Sequence, residues 1–223
     1  MRIAPVLALG LLPVVGGCQW LPWSPPQAPA PAMLRLQGEL SRAGDELVLQ
    51  PCREQRHLRL RDAGQLGLAE AAAHLQAGSS QPLFADLSGR LEGAQPDSVG
   101  LFSVGRLYRL QAEGPGCADT NFKRQIVRAS GHEPEWSVQV SAHGMVLQRP
   151  GAAPLALPYL EERMPDGSLS YSSEADGQRV ELWLAPASCT DSMSGAINHL
   201  QARLRLNQEA PLAGCGALGG ARD

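Results

Sequence analysis

Three polar side chains in the second half of this 223-residue chain could do chemistry together: His132, Glu133 and Asp191. An imidazole beside carboxylates can bind a metal ion or accept a proton. The chain nevertheless contains no H-x-x-x-H or H-E-x-x-H arrangement, and it lacks the serine-acylase signatures S-x-x-K and G-x-S-x-G. The sequence therefore predicts a protein that is not an enzyme and has no catalytic residue, metal or cofactor. The three residues are interpreted as candidate binding residues, and a metal site assembled from distant strands is the alternative left open.

Two apolar residues, Trp136 and Met193, lie close to this cluster in sequence. Both are candidate binding residues in a shallow site, but a structural role is favoured for each. Trp136 would place a large ring in the core or mouth of a barrel, and Met193 would plug one end of it. Asp191 would accept backbone N–H bonds in the turn after Cys189 and so order that loop.

A basic run in the first half is the second candidate for binding. His57, Arg59 and Arg61 alternate with Leu58 and Leu60, so on a strand the three cations share one face while the leucines face the core. Strands at this place in OB-like barrels often bind ligands, and an anionic glycan or a lipid headgroup would suit this face. A solvated strand face is the favoured alternative.

Hydrophobic periodicity predicts the elements that position the basic run. Alternation of period two begins at Met33, and an Ala-rich segment with helical spacing interrupts it. The predicted order is strand, strand, strand, helix, strand, strand, which is that of a small OB-like barrel. We assign this domain to residues 33–118, with strands over 34–41, 46–50, 57–61, 82–91 and 101–111 and a helix over 66–76.

The second half predicts short strands without a helix, separated by tight turns that contain glycine. Such a pattern indicates an antiparallel meander that closes into a barrel or sandwich. We assign it to residues 119–218, followed by a tail over 219–223. The predicted strands are 125–129, 135–141, 145–148, 168–173, 179–185 and 199–206. The fold class is therefore mainly β, with two small β-barrel domains.

The amino terminus indicates export. Met1 and Arg2 precede an apolar run from Ile3 to Val15, which is too short to cross a hydrocarbon core of ~30 Å as a helix. The run closes on Gly16-Gly17-Cys18, and small residues at its end are typical of a cleaved signal segment. The sequence contains no second long apolar run, so no transmembrane helix is predicted.

This segment resembles the lipobox of bacterial lipoproteins. The resemblance implies a signal peptide over residues 1–17 and a mature chain that begins at Cys18, which carries three acyl chains, palmitate among them. Three chains would give a far more durable anchor than one. Residues 18–32 would follow as a semi-rigid tether rich in proline and alanine. Gln19 in place of aspartate favours the outer membrane, with the protein facing the periplasm.

The other four cysteines are Cys52, Cys117, Cys189 and Cys215. An even number in an exported chain favours disulfides, and three pairings are possible. The positions divide around residue 120, which favours Cys52–Cys117 and Cys189–Cys215. A zinc site is the competing interpretation, although no two of these cysteines have close ligand spacing.

The second half also resembles a domain of uncharacterised proteobacterial envelope proteins, which is distantly similar to META-type barrels. Two blocks carry the resemblance: Ala129 to Val138, where the usual form is closer to GNEPFW, and the C-x-D-x-M-S…L-x-G-C pattern that begins at Cys189. It covers about 95 residues. His132 stands for the usual Asn and Glu135 for the usual aromatic residue. The resemblance implies an antiparallel META-like barrel and an envelope location, without a defined activity.

Charge excludes one class of partner. The net charge of −3 becomes −4 when Arg2 leaves with the signal peptide, so no gross attraction for nucleic acid is expected. We expect a non-enzymatic, lipid-anchored periplasmic protein that serves as a binding or envelope-maintenance module. Its partners would be the membrane, through the lipid anchor, and an envelope protein or anionic glycan. The alternatives are a lysozyme or protease inhibitor and a metal- or redox-sensing lipoprotein.

Overall fold

A computed structural model describes residues 32–77, 81–93 and 99–223. The chain is mainly β and forms two barrel-like domains, as the sequence predicts. The signal peptide, the acylation site at Cys18 and the tether up to residue 31 lie outside the described residues. Within the described ranges, no helix is long and apolar enough to cross a bilayer.

The first domain is a closed five-stranded barrel with one helix. Its strands pair in the ring β1-β2-β3-β5-β4-β1, in which β3 and β5 are parallel and the other pairs are antiparallel. The predicted order of five strands and a helix is confirmed. The elements are β1 (Leu34–Ala43), β2 (Glu46–Pro51), β3 (Leu58–Asp62), α1 (Leu68–Leu75), β4 (Leu83–Glu92) and β5 (Gly100–Gln111).

Packing explains how α1 is held on this barrel. Leu68 and Ala72 are buried on one face of the helix, where they join the apolar core. The Asp62 carboxylate at the end of β3 accepts the backbone N–H groups of Leu66 and Leu68, at 2.9 and 3.1 Å. Free N–H groups at a helix start need such an acceptor, so the end of β3 fixes the start of α1.

The second domain is a curled nine-stranded antiparallel half-barrel. Its strand order is β10-β11-β12-β15-β16-β6-β7-β8-β9, with β10 and β9 at the two edges. All six predicted strands are present, and five short or glycine-rich ones are additional. The strands in this half of the chain, including the small pair β13 and β14, are β6 (Gln125–His132), β7 (Glu135–Ser141), β8 (Gly144–Gln148), β9 (Leu155–Leu157), β10 (Leu160–Arg163), β11 (Leu169–Ala175), β12 (Gln178–Ala185), β13 (Cys189–Thr190), β14 (Ile197–Asn198), β15 (Leu200–Leu206) and β16 (Leu212–Leu218).

Trp136 is the largest side chain in the core of this half-barrel, with an exposure of 1%. Two glycines make room for it: a Cβ added at Gly131 would lie 2.5 Å from Trp136 Nε1, and one added at Gly214 would lie 2.7 Å from its ring carbon Cζ2. Any larger residue at either position would collide with the indole. Gly131 of β6 and Gly214 of β16 are therefore explained by the ring that packs against them.

The pair β13–β14 connects the two domains. It belongs to the second half of the chain, but β14 pairs with β5 of the first barrel, with Asn198 opposite Arg109. The Cys189–Cys215 disulfide ties the start of this segment to β16, and the Cys52–Cys117 disulfide joins the turn after β2 to the turn after β5. Both favoured pairings are confirmed.

Arg35 is a second connection between the domains. Its guanidinium forms a bidentate ion pair with Asp86, at 2.7 and 2.8 Å. The same guanidinium donates hydrogen bonds to the carbonyls of Leu218 and Gly219, at 2.8 and 2.9 Å. It also pairs with Asp223 at 2.7 Å. Residues 219–223, predicted as a tail, are thus held against the first barrel by one arginine.

Candidate functional site

His132 and Asp191 meet where the two domains join. His132 is the last residue of β6, and Asp191 begins the loop after β13. The Nε2 atom of His132 lies 2.8 Å from Oδ2 of Asp191, with 27% and 11% of the two side chains exposed. The structure therefore brings together two of the three residues that the sequence singled out. Glu133, the third, is exposed beside them and lines the same cleft as both.

The loop that carries Asp191 is ordered by that carboxylate. Oδ1 accepts the backbone N–H groups of Met193 and Ser194, at 3.1 and 2.8 Å, and the Ser194 hydroxyl at 2.8 Å. Burial would raise the pKa of Asp191, but the hydrogen bonds from Ser194, His132 and Met193 outweigh burial and hold the pKa below its usual value. The predicted role of Asp191 in ordering this turn is confirmed.

Two clefts open on either side of the His132–Asp191 pair. The larger cleft has a volume of about 540 Å³ and the smaller about 270 Å³. Four residues line both: Ser130, His132, Asp191 and Cys215. The pair therefore stands at the boundary between two adjoining spaces, and a ligand of moderate size could occupy both.

The smaller cleft contains two arginines that the sequence analysis missed. Arg109 projects from β5 and Arg128 from β6, so each domain contributes one. Arg109 is 8% exposed, its Nε atom has no hydrogen-bond partner among the described residues, and its guanidinium lies 4.9 Å from the Phe84 ring centre. Burial lowers the pKa of Arg109, and the positive charge of Arg128 lowers it further, while the carboxylates of Asp86 and Asp119 oppose this shift.

Trp136 and Met193 require correction. Trp136 lines neither cleft, because its ring is buried beneath β6 and β16, so its predicted place in a binding surface is wrong and the architectural role stands. Met193 does not plug a barrel, because the hydrogen bonds of Asp191 turn the loop outward and leave Met193 76% exposed.

The basic run lies on the outside of the first barrel. Leu58 is buried, whereas His57, Arg59 and Arg61 are exposed, so the predicted alternation holds. Arg59 pairs with Glu46 at 3.3 Å and Arg61 with Glu92 at 2.9 Å. The structure thus places both arginines in local ion pairs, and the run remains a candidate only if an anion displaces those carboxylates.

Another cleft, of about 630 Å³, lies on the outer face of β10, β11 and β12. Its arginine, Arg179, is paired with Glu174 and Glu181 at 3.2 and 2.8 Å. The arginines of the smaller cleft have no carboxylate within ion-pair distance among the described residues. Size alone favours the outer cleft, but guanidinium groups without a direct ion pair favour the junction, because a ligand anion could pair with them.

No group of three or more His, Cys, Asp or Glu side chains in the described part of the chain could hold a metal ion. No protein-family model matches the chain, no curated protein is significantly similar to it, and no solved structure is significantly similar to its fold. The function is therefore inferred from the sequence features and the geometry of the junction.

Proposed function

We propose that this chain is a non-enzymatic binding protein anchored by lipid to the bacterial outer membrane and facing the periplasm. The observation that carries the proposal is the pairing of its cysteines. Of the five cysteines, four form the disulfides Cys52–Cys117 and Cys189–Cys215, which suit an oxidising compartment. The remaining cysteine, Cys18, is the one that ends the lipobox-like segment.

The junction of the two domains supports the binding role. Concave sites with a few convergent polar groups are the usual form of a ligand site, and they occur preferentially between domains. Here two adjoining clefts surround the His132–Asp191 pair, and the loop on one side is fixed by a disulfide and by the Asp191 hydrogen bonds. A site already ordered before binding loses less entropy when a ligand enters.

Membrane fractionation tests the anchor. In a Gram-negative host, the full chain should sediment with the outer membrane, resist a high-salt wash and dissolve in detergent. The Cys18→Ser variant should lose this behaviour. A matched control, Cys52→Ser with Cys117→Ser, removes two other cysteines and should keep it. A wild-type chain found in the cytosol, or Cys18→Ser still held by the outer membrane, would refute the proposal.

A protein inhibitor is the second candidate, favoured by the exposed Met193. An apolar residue at the tip of an ordered loop is suited to insertion into an enzyme cleft, because little entropy is lost when it binds. Micromolar protein should then reduce lysozyme or serine-protease activity, and Met193→Asp should relieve the inhibition. Undiminished activity of both enzymes would remove this candidate.

A further inference from the structure

Arg109 and Arg128 line one small cleft and form no ion pair with the carboxylates that line it too, the exposed Glu113 and the His132-paired Asp191. Neither side chain has a hydrogen bond or ion pair among the described residues, and both line the space of about 270 Å³. Two carboxylates, Asp86 and Asp119, attract Arg109 without forming an ion pair with it, and both oxygens of Asp86 already accept hydrogen bonds from Arg35. A buried guanidinium without a partner is costly, and proteins usually keep one where a ligand supplies the missing charge.

The strand topology explains how two arginines from different domains come to line one cleft. On β6, Arg128, Ser130 and His132 share one face, because the residues between them point into the core of the half-barrel. On β5, Arg109 lies opposite Asn198 of β14. The cleft is therefore lined by donors from three segments: Arg109 of β5, Arg128 of β6 and Asn198 of β14.

We propose that this cleft binds the phosphate group of a small ligand, held between Arg109 and Arg128. The inference rests on the proposed binding function and specifies its ligand chemistry. Guanidinium groups form paired, charge-assisted hydrogen bonds with phosphate oxygens, and two unpaired guanidiniums match a dianion better than a carboxylate. Ser194 and Asn198 line the same cleft and offer further donors to a tetrahedral group.

Volume limits what the cleft can hold. A space of about 270 Å³ takes a headgroup rather than a whole ligand of ordinary size. The remainder of the ligand would pass the His132–Asp191 pair into the larger cleft, which shares four lining residues with the smaller one. Free inorganic phosphate and a phosphomonoester headgroup carry the same chemistry, so both are used as probes.

Calorimetric titration of the purified full chain in detergent tests the assignment. Inorganic phosphate and glycerol phosphate are titrated separately at constant ionic strength, with acetate as the monoanion. We expect both phosphate probes to bind, acetate to give no heat, and glycerol phosphate to bind more tightly if the larger cleft contributes. Arg128→Gln should weaken phosphate binding about 10-fold or more, the loss expected for a charge-assisted hydrogen bond.

Arg149→Gln is the matched control, because Arg149 is exposed, lies outside both clefts and carries the same charge. It should bind phosphate as the wild type does. The half-buried Arg128 is mutated first, because replacing the buried Arg109 risks the fold. Absence of phosphate binding, equal binding of acetate, or equal losses in Arg128→Gln and Arg149→Gln would each overturn the assignment. Fractionation of the same chain is an independent measurement, so loss of this inference would leave the anchor untouched.

Discussion

The Nε2 atom of His132 lies 2.8 Å from Oδ2 of Asp191, although 59 positions separate the two residues in the chain. This contact joins the end of β6 to the loop that carries β14 onto the first barrel. The same loop is fixed to β16 by the Cys189–Cys215 disulfide. Residues 189–198 therefore contribute to both junction clefts and, together with Arg35, connect the two domains.

Asp191→Ala should loosen this segment. The substitution removes the acceptor of two backbone N–H groups and one hydroxyl, so we expect a loss of about 1–3 kcal/mol in the free energy of unfolding. Amide hydrogen exchange at Met193 and Ser194 should accelerate. Asp166→Ala is a matched control, since Asp166 holds a comparable turn through Ser168. Unchanged exchange at Met193 and Ser194 would contradict the ordering role.

Arg35→Met should be the most destabilising single change at the junction. It leaves the carboxylate of Asp86, which is 1% exposed, without its two-pronged partner, and breaking a buried pair from one side costs about 3–5 kcal/mol. Arg42→Met, at an exposed arginine of the same strand, should cost little. Chemical denaturation measures both. Equal midpoints for the two variants would show that Arg35 does not hold the domains together.

His199 should make stability depend on pH between about 4 and 6.5. Burial lowers the pKa of His199 to about 4, and the charges of Arg35 and Arg106 add to this, while a hydrogen bond to the Tyr108 carbonyl opposes it. In that window the unfolded chain binds a proton that the folded chain does not, so stability falls as pH falls, by about 1.4 kcal/mol per pH unit.

Replacement of His199 by Gln should flatten this dependence. The amide can still donate to the Tyr108 carbonyl, but it does not titrate. His143→Gln, in the exposed turn between β7 and β8, should leave the slope as it is in the wild type. Denaturation curves from pH 4 to 7 compare the three proteins. A wild-type curve without slope in this window would contradict the buried, neutral imidazole.

The two disulfides should stabilise the fold unequally. Removal of either bond should lower the free energy of unfolding by about 2–5 kcal/mol. Cys52–Cys117 spans 65 positions and Cys189–Cys215 spans 26, so the chain-entropy model predicts a loss about 0.8 kcal/mol larger for the first. Denaturation of the two double Cys→Ala variants measures the difference. A larger loss from Cys189–Cys215 would show that the bond acts through the junction rather than through chain entropy.

Much of the fold could be predicted because most strands have one buried and one exposed face, which gives the period of two. There is a physical reason why five strands of the second half could not be predicted. β13 and β14 have two residues each, and β9 and β10 have three and four, which is too short for a period to emerge. β16 was missed because two glycines interrupt its apolar pattern: Gly214, which accommodates Trp136, and Gly216, which lies against Leu184.

The site could be predicted only in part. His132 and Asp191 could be predicted as candidate site residues, because their side chains are an imidazole and a carboxylate, which can bind ligands or metal ions. Arg109 and Arg128 were visible only as arginines within largely apolar strands. That they share a cleft depends on β14 pairing with β5, and two residues of strand carry no signal for such a pairing.

Mass spectrometry of the native protein tests the central claim, that Cys18 is the acylated first residue of an exported chain. The account predicts a mature polypeptide that begins at Cys18, carries three acyl chains and has its other four cysteines in two disulfides. The Cys18→Ser variant should carry no lipid. A chain that retains Met1, or one whose first residue is unmodified, would contradict the anchor and the compartment inferred from it.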